Sequence, residues 1–490
     1  GRAMHRSIRR LATILLVCLG IIALDLTYWQ VVRSEDLVYG PHNARLVEEE
    51  ARTLRGSILD RSGQPLARSR RLPDGTVERS YSDPTLAPVV GYFSSRYGAS
   101  GLELSYARYL RGDVQANALD TMVARLLHRP RVGADLHLSI DSRLQSVAAS
   151  AMGSDTGAAV ALDPRTGAVL AMVSTPYFDP NRIDDDWESL RSDPQRPLYN
   201  RAAQGLYTPG SIFKIVTATA ALDLGLVDPD RSYQCTQHLV VEGFRIENKN
   251  HPGISRVNFV QDFAYSCNVT FAKVGLGLGT GQLALGDAMP SPPPWSKGVD
   301  ESRRLFLEYA RRFGMEEPLP FDIPTSPSRI GGQRLSPVEL ATSAFGQGGL
   351  QVTPLLMALG AATIANGGKM PEPYLVEAIV DPQGHTLQRR SARVLREVMS
   401  PETAATMNRL MVASVREGYA RTARIPDVEV GGKTGSAEVG SGQKTHSWFI
   451  GYAPAEAPVV AVAVIMENKG PGSDFAAPAA RKIMEAALGR

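Results

Sequence analysis

Two groups of strand-like segments lie far apart in the sequence and constrain the fold more than any other feature. The first group, residues 158–162 and 168–174, surrounds an Asp-Pro-Arg-Thr-Gly turn and has the pattern of a β-hairpin. The second group consists of residues 428–430, 447–452 and 459–466. Because strands need partners for their backbone groups, we expect both groups to meet in one mixed sheet.

The intervening residues, from about 200 to 400, are expected to form a helical lobe beside this sheet. A helix is predicted at residues 142–152 and an amphipathic helix at 476–488. Residues 134–490 are therefore predicted to be one α+β domain, in which helices sandwich a mixed sheet and a helical lobe adds a second layer. A cleft between the sheet and the lobe is the expected place for a ligand.

The amino-terminal part predicts a membrane anchor and a small pedestal domain. Residues 1–10 are basic and read as a cytoplasmic tail, of which 1–3, before Met4, are interpreted as a cloning remnant. Residues 11–32 are mostly apolar and long enough to span a bilayer, with a tyrosine and a tryptophan near the outer end. Residues 33–133 are polar and arginine-rich and are expected to form a small α+β pedestal.

The basic tail places the amino terminus inside and the bulk of the chain outside the cytoplasmic membrane. A cleaved signal peptide is the alternative, but no small-x-small cleavage site follows the apolar run. Asp25 interrupts that run and is either an interfacial side chain or a contact for a membrane partner.

Composition excludes several classes of function. The net charge of +3 gives no indication of nucleic-acid binding, and the eight histidines show no metal-binding spacing. No metal and no cofactor are expected. Three cysteines cannot form a disulfide framework. Cys18 lies in the apolar run, and Cys235 and Cys267 are either a disulfide or two buried thiols.

Ser211 and Lys214 are the first candidates for chemistry. The chain has nine lysines against forty-four arginines, and only lysine can lose its proton in a protein. Residues 212–224 predict a buried helix, which places both side chains on one face near its start and desolvates the ammonium group. Ser441 and Lys444 repeat the spacing, but they lie in a glycine-rich stretch that would not hold them.

Two further elements supply polar groups. Ser266 and Asn268 lie in an apolar stretch, residues 259–274, that predicts a helix. Lys433 begins Lys-Thr-Gly-Ser, which follows the strand-like residues 428–432. Its lysine and hydroxyl groups suit a carboxylate, and small residues on an edge strand let a substrate backbone approach closely.

The order Ser-x-x-Lys, Ser-x-Asn and Lys-Thr-Gly resembles that of penicillin-binding proteins and serine β-lactamases. Over nearly its whole length the chain is similar to a class B penicillin-binding protein, most of all to the actinobacterial penicillin-binding protein A type. Further segments that match this family are residues 55–61, 101–103, 207–211, 346–348 and 352–354, and Trp448.

The resemblance implies a D,D-transpeptidase that crosslinks peptidoglycan stem peptides ending in D-Ala-D-Ala and is acylated by β-lactams. It assigns catalysis to Ser211, Lys214, Ser266 and Lys433, substrate binding to Asn268, Thr434, Gly435 and Ser436, and the oxyanion hole to the amides of Ser211 and Ser436. It also implies a polytopic SEDS-family glycosyltransferase as partner, held through the membrane helix and the pedestal. The routing of protons among the two lysines and Ser266 is open.

Other classes of protein share parts of this pattern. A β-lactamase is normally secreted without anchor and pedestal, and a β-lactam sensor would carry several membrane spans. A catalytically silent wall-synthesis scaffold would not need all three motifs intact. A Ser-His-Asp hydrolase is disfavoured because no Gly-x-Ser-x-Gly sequence occurs.

Overall fold

A computed structural model describes most of the chain. The described residues are 13, 15–22, 25, 53–114, 132–248, 252–281, 283, 285–286, 293–440 and 442–490. The predicted cytoplasmic tail, most of the predicted membrane segment and the first part of the predicted pedestal lie outside them, as does Ser441. Within the described part, no helix combines the length and the apolar character needed to cross a membrane.

The two groups of strands predicted from the sequence meet in a five-stranded sheet, which confirms that expectation. The strand order is Gly431–Ala437, His446–Ala453, Val460–Met466, Gly157–Leu162 and Val169–Thr175. Every pairing in this sheet is antiparallel. Hairpins join the strands within each group, and Val460–Met466 of one group pairs with Gly157–Leu162 of the other. The mixed pairing that was expected here occurs in a second sheet.

Helices cover both faces of the five-stranded sheet. Ser142–Met152 and Ala476–Ala487 pack against each other and against one face, and Pro354–Ala365 packs against the strands from the helical lobe. The strands Gly157–Leu162 and Val460–Met466 are buried along their whole length, which explains their continuous apolar runs, and His446–Ala453 is buried except at His446. This sandwich leaves the strand Gly431–Ala437 at one edge of the sheet.

The second sheet has six strands and does contain a parallel pair. Its order is Thr386–Arg389, Val376–Val380, Asp135–Leu138, Ile58–Leu59, Pro65–Arg71 and Val77–Tyr81, and the parallel pairing joins Ile58–Leu59 to Asp135–Leu138. Its strands come from both sides of residue 133. The pedestal and the larger domain are thus joined by a continuous sheet, and the division at residue 133 stays a prediction.

A buried ion cluster connects the strand Val77–Tyr81 of the six-stranded sheet to Arg55 and Glu103. Glu103, which is inaccessible to solvent, accepts hydrogen bonds from Arg55 Nε at 3.0 Å, Arg79 Nε at 2.7 Å and Tyr81 Oη at 3.1 Å. Burial by itself would raise the pKa of Glu103, but the two guanidinium groups hold it below its usual value. The segments 55–61 and 101–103 therefore stabilise the pedestal.

The region between residues 200 and 400 is rich in helices but is not wholly helical. It also contains the hairpin His238–Val241 and Phe244–Glu247, the pair Tyr233–Gln234 and Arg256–Val257, the pair Lys369–Pro371 and Val394–Glu397, and two strands of the six-stranded sheet. The α-helices of the lobe are Arg201–Gln204, Lys214–Asp223, Phe259–Ala264, Asn268–Gly277, Val299–Arg312, Pro337–Ser343, Pro354–Ala365 and Pro401–Arg416. Shorter or peripheral helices are Ala87–Val90, Gly101–Ser105, Ala107–Leu110 and Ile183–Ser192.

Candidate active site

Ser211 lies in a tight turn that leads into a buried helix. Gly210–Phe213 form a 3-10 turn, and the α-helix Lys214–Asp223 follows directly. The helix predicted at residues 212–224 is therefore present, but Ser211 lies in the turn before its first α-helical residue. Gly210 has a φ of 58°, and its amide donates to Gly346 O at 2.9 Å. A Cβ on Gly346 would lie 1.7 Å from Gly210 O, so this close approach requires glycine.

Lys214 is inaccessible to solvent and has four oxygen atoms around its Nζ. Ser211 Oγ lies at 3.0 Å, Ser266 O at 2.7 Å, Ser266 Oγ at 2.9 Å and Asn268 Oδ1 at 2.8 Å. The side chain thus connects Ser211 to the Ser-x-Asn element.

The contacts of Lys214 suit a neutral amine. The carbonyl oxygen of Ser266 and the amide oxygen of Asn268 can only accept, and a neutral amine has two protons for them. Its lone pair then remains to accept the hydroxyl proton of Ser211, 3.0 Å away. In this protonation state Lys214 is within hydrogen-bond reach of a proton that it can accept.

Ser266 lies at a break between two helices rather than within one. Phe259–Ala264 and Asn268–Gly277 flank it, and Cys267 caps the second helix through its sulfur, which accepts from Thr270 N. The single helix predicted over residues 259–274 is therefore wrong. The positive φ of Ser266, 58°, ends the first helix and turns both Ser266 oxygens toward Lys214.

Lys433 approaches the same hydroxyl from the sheet. Its Nζ lies 3.0 Å from Ser266 Oγ and 3.0 Å from Thr434 O. The strand begins at Gly431, not at residue 428 as predicted, and so contains the whole Lys-Thr-Gly-Ser sequence. A Cβ on Gly435 would lie 3.0 Å from Pro209 O, so glycine lets this edge strand lie against the Ser211 turn.

Burial lowers the pKa of both lysines. For Lys214 desolvation is the main cause and the charge of Lys433 adds to it, so the pKa lies well below its usual range. For Lys433 desolvation lowers the pKa from 10.5 to about 7. The rings of Phe271 and Phe263 lie beside the two amines, at 5.4 and 5.7 Å from Nζ to centroid. Both rings belong to the apolar stretch 259–274, whose local pattern does not indicate that they would lie beside the two amines.

The structure brings the predicted residues together in one place. Ser211, Lys214, Asn268, Ser266 and Lys433 form a continuous series of hydrogen bonds. Of the remaining three, Thr434 and Gly435 are buried in the strand, and Ser436 is exposed with its hydroxyl accepting from Gly472 N at 3.4 Å. Of the competing pair, Lys444 is exposed and lies outside this group.

A second group of contacts holds the Ser211 turn against the sheet. Trp448 Nε1 donates to Thr208 O at 3.0 Å. Glu467 Oε1 accepts from Tyr207 Oη at 2.7 Å and from Arg201 Nε at 2.9 Å. Tyr207 and Trp448 were recognised in the sequence, whereas Arg201 and Glu467 carried no local signal because they meet only through the fold.

Comparisons with known proteins agree with this geometry. Residues 157–485 match the penicillin binding protein transpeptidase domain, and residues 55–136 match the penicillin binding protein A dimerisation domain. The peptidoglycan D,D-transpeptidase PbpA of Mycolicibacterium smegmatis is 34% identical over 99% of both chains. PbpA of Mycobacterium tuberculosis is 32% identical, again over 99% of both chains.

Solved structures show the same architecture. The ceftriaxone acyl-enzyme complex of penicillin-binding protein A from M. tuberculosis has a TM-score of 0.79 and 31% identity, covering 90% of this chain and 100% of that one. The D,D-transpeptidase domain of a peptidoglycan glycosyltransferase from Eggerthella lenta has a TM-score of 0.77 and 30% identity, covering 90% and 99%.

Proposed function

The chain belongs to the penicillin-binding protein transpeptidase family, and from that membership we propose that it crosslinks peptidoglycan stem peptides through an acyl-Ser211 intermediate. The observation that carries the proposal is the series of contacts from the partly buried Ser211 through Lys214 and Ser266 to Lys433. It supplies a nucleophile, a base and a proton path within hydrogen-bond reach of one another.

In the first step Ser211 Oγ attacks the carbonyl carbon of the penultimate D-Ala. Neutral Lys214 accepts the hydroxyl proton as the new C–O bond forms. When the tetrahedral intermediate collapses, the C–N bond to the terminal D-Ala breaks, and the leaving amine takes a proton delivered through Ser266, which contacts Lys214 and Lys433 alike. The products are free D-Ala and the acyl-enzyme.

In the second step an amine from a neighbouring stem peptide attacks the ester carbonyl. The new C–N bond forms, the ester C–O bond to Ser211 breaks, and a proton passes from the amine to Ser211 Oγ, which regenerates the hydroxyl and completes the crosslink. A β-lactam follows only the first step, since its ring opens on Ser211 and the leaving nitrogen stays attached. We assign the terminal carboxylate to Lys433, Thr434 and Ser436, because these residues of the edge strand supply an amine and two hydroxyl groups.

Two further assignments concern the reacting peptide. We assign the oxyanion hole to the backbone amides of Ser211 and Ser436, since Gly435 packs the edge strand against the Ser211 turn. We assign the amide of Asn268 to the peptide backbone of the substrate, because its oxygen already contacts Lys214 and its nitrogen is then left for a carbonyl.

The predicted anchor and pedestal place this chemistry outside the cytoplasmic membrane. We propose a single membrane pass with the amino terminus inside, residues 33–133 as the pedestal and 134–490 as the catalytic domain. Glycan strands would come from a separate polytopic SEDS-family glycosyltransferase. Co-purification in mild detergent tests the partnership, and a full-length protein that never retains such an enzyme contradicts it.

Labelling with a fluorescent penicillin tests the catalytic assignment. Wild-type protein should carry one covalent label per chain, and Ser211→Ala should carry none. Ser441→Ala, which removes the serine of the competing pair, is the matched control and should label as wild type does. Persistent labelling of Ser211→Ala refutes the nucleophile assignment, while rapid loss of label from the wild type indicates a β-lactamase.

A further inference from the structure

The two amides assigned to the oxyanion hole lie on different elements of the fold. Ser211 lies in the turn before its helix, whereas Ser436 lies in the edge strand Gly431–Ala437. A Cβ on Gly210 would lie 3.1 Å from Ser436 O, so the two segments are in close contact. Two donors that bind one oxygen atom need a fixed separation, and an error of about 1 Å can cost about 10²-fold in rate. The turn therefore has to be held in position relative to the sheet.

Tyr207, four residues before Ser211, joins the turn to the sheet and to the helical lobe. Its backbone pairs with Val352, just before the lobe helix Pro354–Ala365. Its hydroxyl donates to Glu467 Oε1 at 2.7 Å, and Glu467 directly follows a strand of the five-stranded sheet. Burial and the negative charge of Glu467 raise the pKa of Tyr207, so the phenol keeps its proton and remains a donor.

Glu467 is itself held by groups on both sides. Its Oε1 also accepts from Arg201 Nε at 2.9 Å, and its backbone amide donates to Thr156 O at 2.8 Å. Arg201 is 6% exposed, and its guanidinium group donates to the carbonyl oxygens of Gln195 and Arg196 as well. Because the carboxylate is fixed from the sheet and from a buried guanidinium, it is a rigid acceptor for the Tyr207 hydroxyl.

A neutral histidine keeps the residue after Glu467 in place. His446 Nδ1 accepts from Asn468 N at 3.0 Å. Burial lowers the pKa of His446 although the charge of Glu467 opposes this, so the imidazole is neutral at neutral pH and able to accept. Its ring is nearly perpendicular to that of Tyr207, with the centroids 5.6 Å apart. The imidazole thus supports both partners of the hydrogen bond between Tyr207 and Glu467.

We propose that Glu467 is a positioning residue that acts through the Tyr207 hydroxyl to fix the distance between the amides of Ser211 and Ser436. The inference rests on the proposed function, since it assumes that Ser211 is acylated. Among the described residues, the hydrogen bonds of the Glu467 carboxylate go to Tyr207 and Arg201 and not to the strand assigned to the substrate carboxylate. Loss of this carboxylate should therefore impair the covalent step, in which the oxyanion forms, and spare the binding that precedes it.

Acylation by a fluorescent penicillin separates these two steps. Quenched-flow labelling at a series of penicillin concentrations gives the dissociation constant of the first complex and the rate constant of the covalent step. A contact that serves stability alone would lower the amount of folded protein and leave both constants unchanged in the protein that remains folded. The split between the two constants therefore distinguishes a positioning role from a structural one.

The test uses the full-length protein in detergent. Glu467→Ala and Tyr207→Phe should each lower the rate constant by about tenfold or more, with a dissociation constant within about threefold of the wild type. Glu467→Gln keeps an oxygen that can accept from the Tyr207 hydroxyl and should restore the rate constant to within about threefold. The double variant Tyr207→Phe/Glu467→Ala should be no slower than the slower single variant, because both changes remove the same contact.

Tyr106→Phe is the matched control. It also removes a tyrosine hydroxyl bonded to a carboxylate, since Tyr106 Oη lies 2.5 Å from Asp322 Oδ1, but this contact lies between the pedestal and the lobe. Both constants should stay at their wild-type values in this variant. Tyr207→Phe preserves the ring and its packing, so it remains informative even where Glu467→Ala folds poorly.

Each other outcome overturns a stated part of the proposal. An unchanged rate constant in Tyr207→Phe excludes the positioning role, and a weaker dissociation constant with an unchanged rate constant excludes the link to the oxyanion hole. Equal losses in Glu467→Ala and Glu467→Gln show that the charge acts without the Tyr207 hydroxyl. If the wild type takes no penicillin, the proposed function fails separately. A double-mutant cycle in urea unfolding then measures the contact itself, and additive losses of stability contradict it.

Discussion

Replacing Lys433 by methionine should lower the number of protons taken up on unfolding at mildly alkaline pH by about one, and so reduce the pH dependence of the free energy of unfolding. Lys433 is inaccessible to solvent, and desolvation lowers its pKa from 10.5 to about 7. Between these two values the unfolded chain holds a proton on this lysine and the folded protein does not. The free energy of unfolding therefore rises with pH across this window and loses that contribution as the pH falls toward 7.

The magnitude follows from the size of the window. One proton difference corresponds to about 1.4 kcal/mol per pH unit, so the wild type should gain about 2.7 kcal/mol relative to Lys433→Met between about pH 7.5 and 9.5. Methionine also removes the contacts to Ser266 Oγ and Thr434 O, which costs about 1–3 kcal/mol. That loss is nearly independent of pH and cancels in the difference between the two pH values.

Urea unfolding followed by tryptophan fluorescence provides the assay, since Trp448 is fully buried beside the site. Wild type and Lys433→Met are compared at each pH in the same detergent. Lys482→Met, at an exposed position on the last helix, is the control and should retain the wild-type slope. Parallel curves for wild type and Lys433→Met would refute the claim that Lys433 is neutral in the folded protein at alkaline pH.

Three more predictions address the same groups. The second-order rate of acylation by a carboxylate-bearing β-lactam should fall as the pH rises above about 7, because Lys433 loses its charge in the free enzyme. The rate measured for Lys433→Arg over the same pH series should not fall in this range. A fall that persists in Lys433→Arg contradicts the assignment. Lys214→Arg should slow penicillin labelling by about 10²–10⁴-fold with an unchanged circular dichroism spectrum, since arginine stays protonated. Labelling near the wild-type rate would exclude Lys214 as the base. Gly346→Ala should lower the free energy of unfolding by more than about 2 kcal/mol and slow penicillin labelling, because the new Cβ meets Gly210 O. Gly384→Ala, at a similar positive φ in open space, should leave labelling intact. Equal effects of both substitutions in melting and labelling assays would refute the clash.

The sequence predicted the arrangement of the core better than the details of the site. Alternation and apolar runs located four of the five strands of the main sheet, because buried strands are largely apolar along their length. The strand Gly431–Ala437 begins after the predicted residues 428–430, since its three glycines and its lysine are residue types that are depleted in strands. That strand is set by its pairing with His446–Ala453, which is a tertiary contact.

The break at Ser266 shows the same limit. Residues 259–274 are mostly apolar or small, and nothing in their local pattern indicates the positive φ that separates the two helices. The break in the helix turns both Ser266 oxygens toward Lys214. The helix prediction from local pattern therefore fails at a residue of the candidate site. The six-stranded sheet was missed for a similar reason, since strands on both sides of the predicted division join it.

The two buried lysines have different roles in the proposed reaction, because the charge of Lys433 lowers the pKa of Lys214. An unliganded site at neutral pH holds Lys433 near the midpoint of its titration, and the carboxylate of an arriving peptide or β-lactam favours its charged form. The charge on Lys433 in turn lowers the pKa of Lys214. If the terminal carboxylate binds at Lys433 as proposed, its binding favours the neutral form of Lys214 at the step in which Ser211 loses its proton. A ligand that lacks the carboxylate should acylate slowly even where it fits, and the comparison with its carboxylate-bearing partner measures this coupling directly.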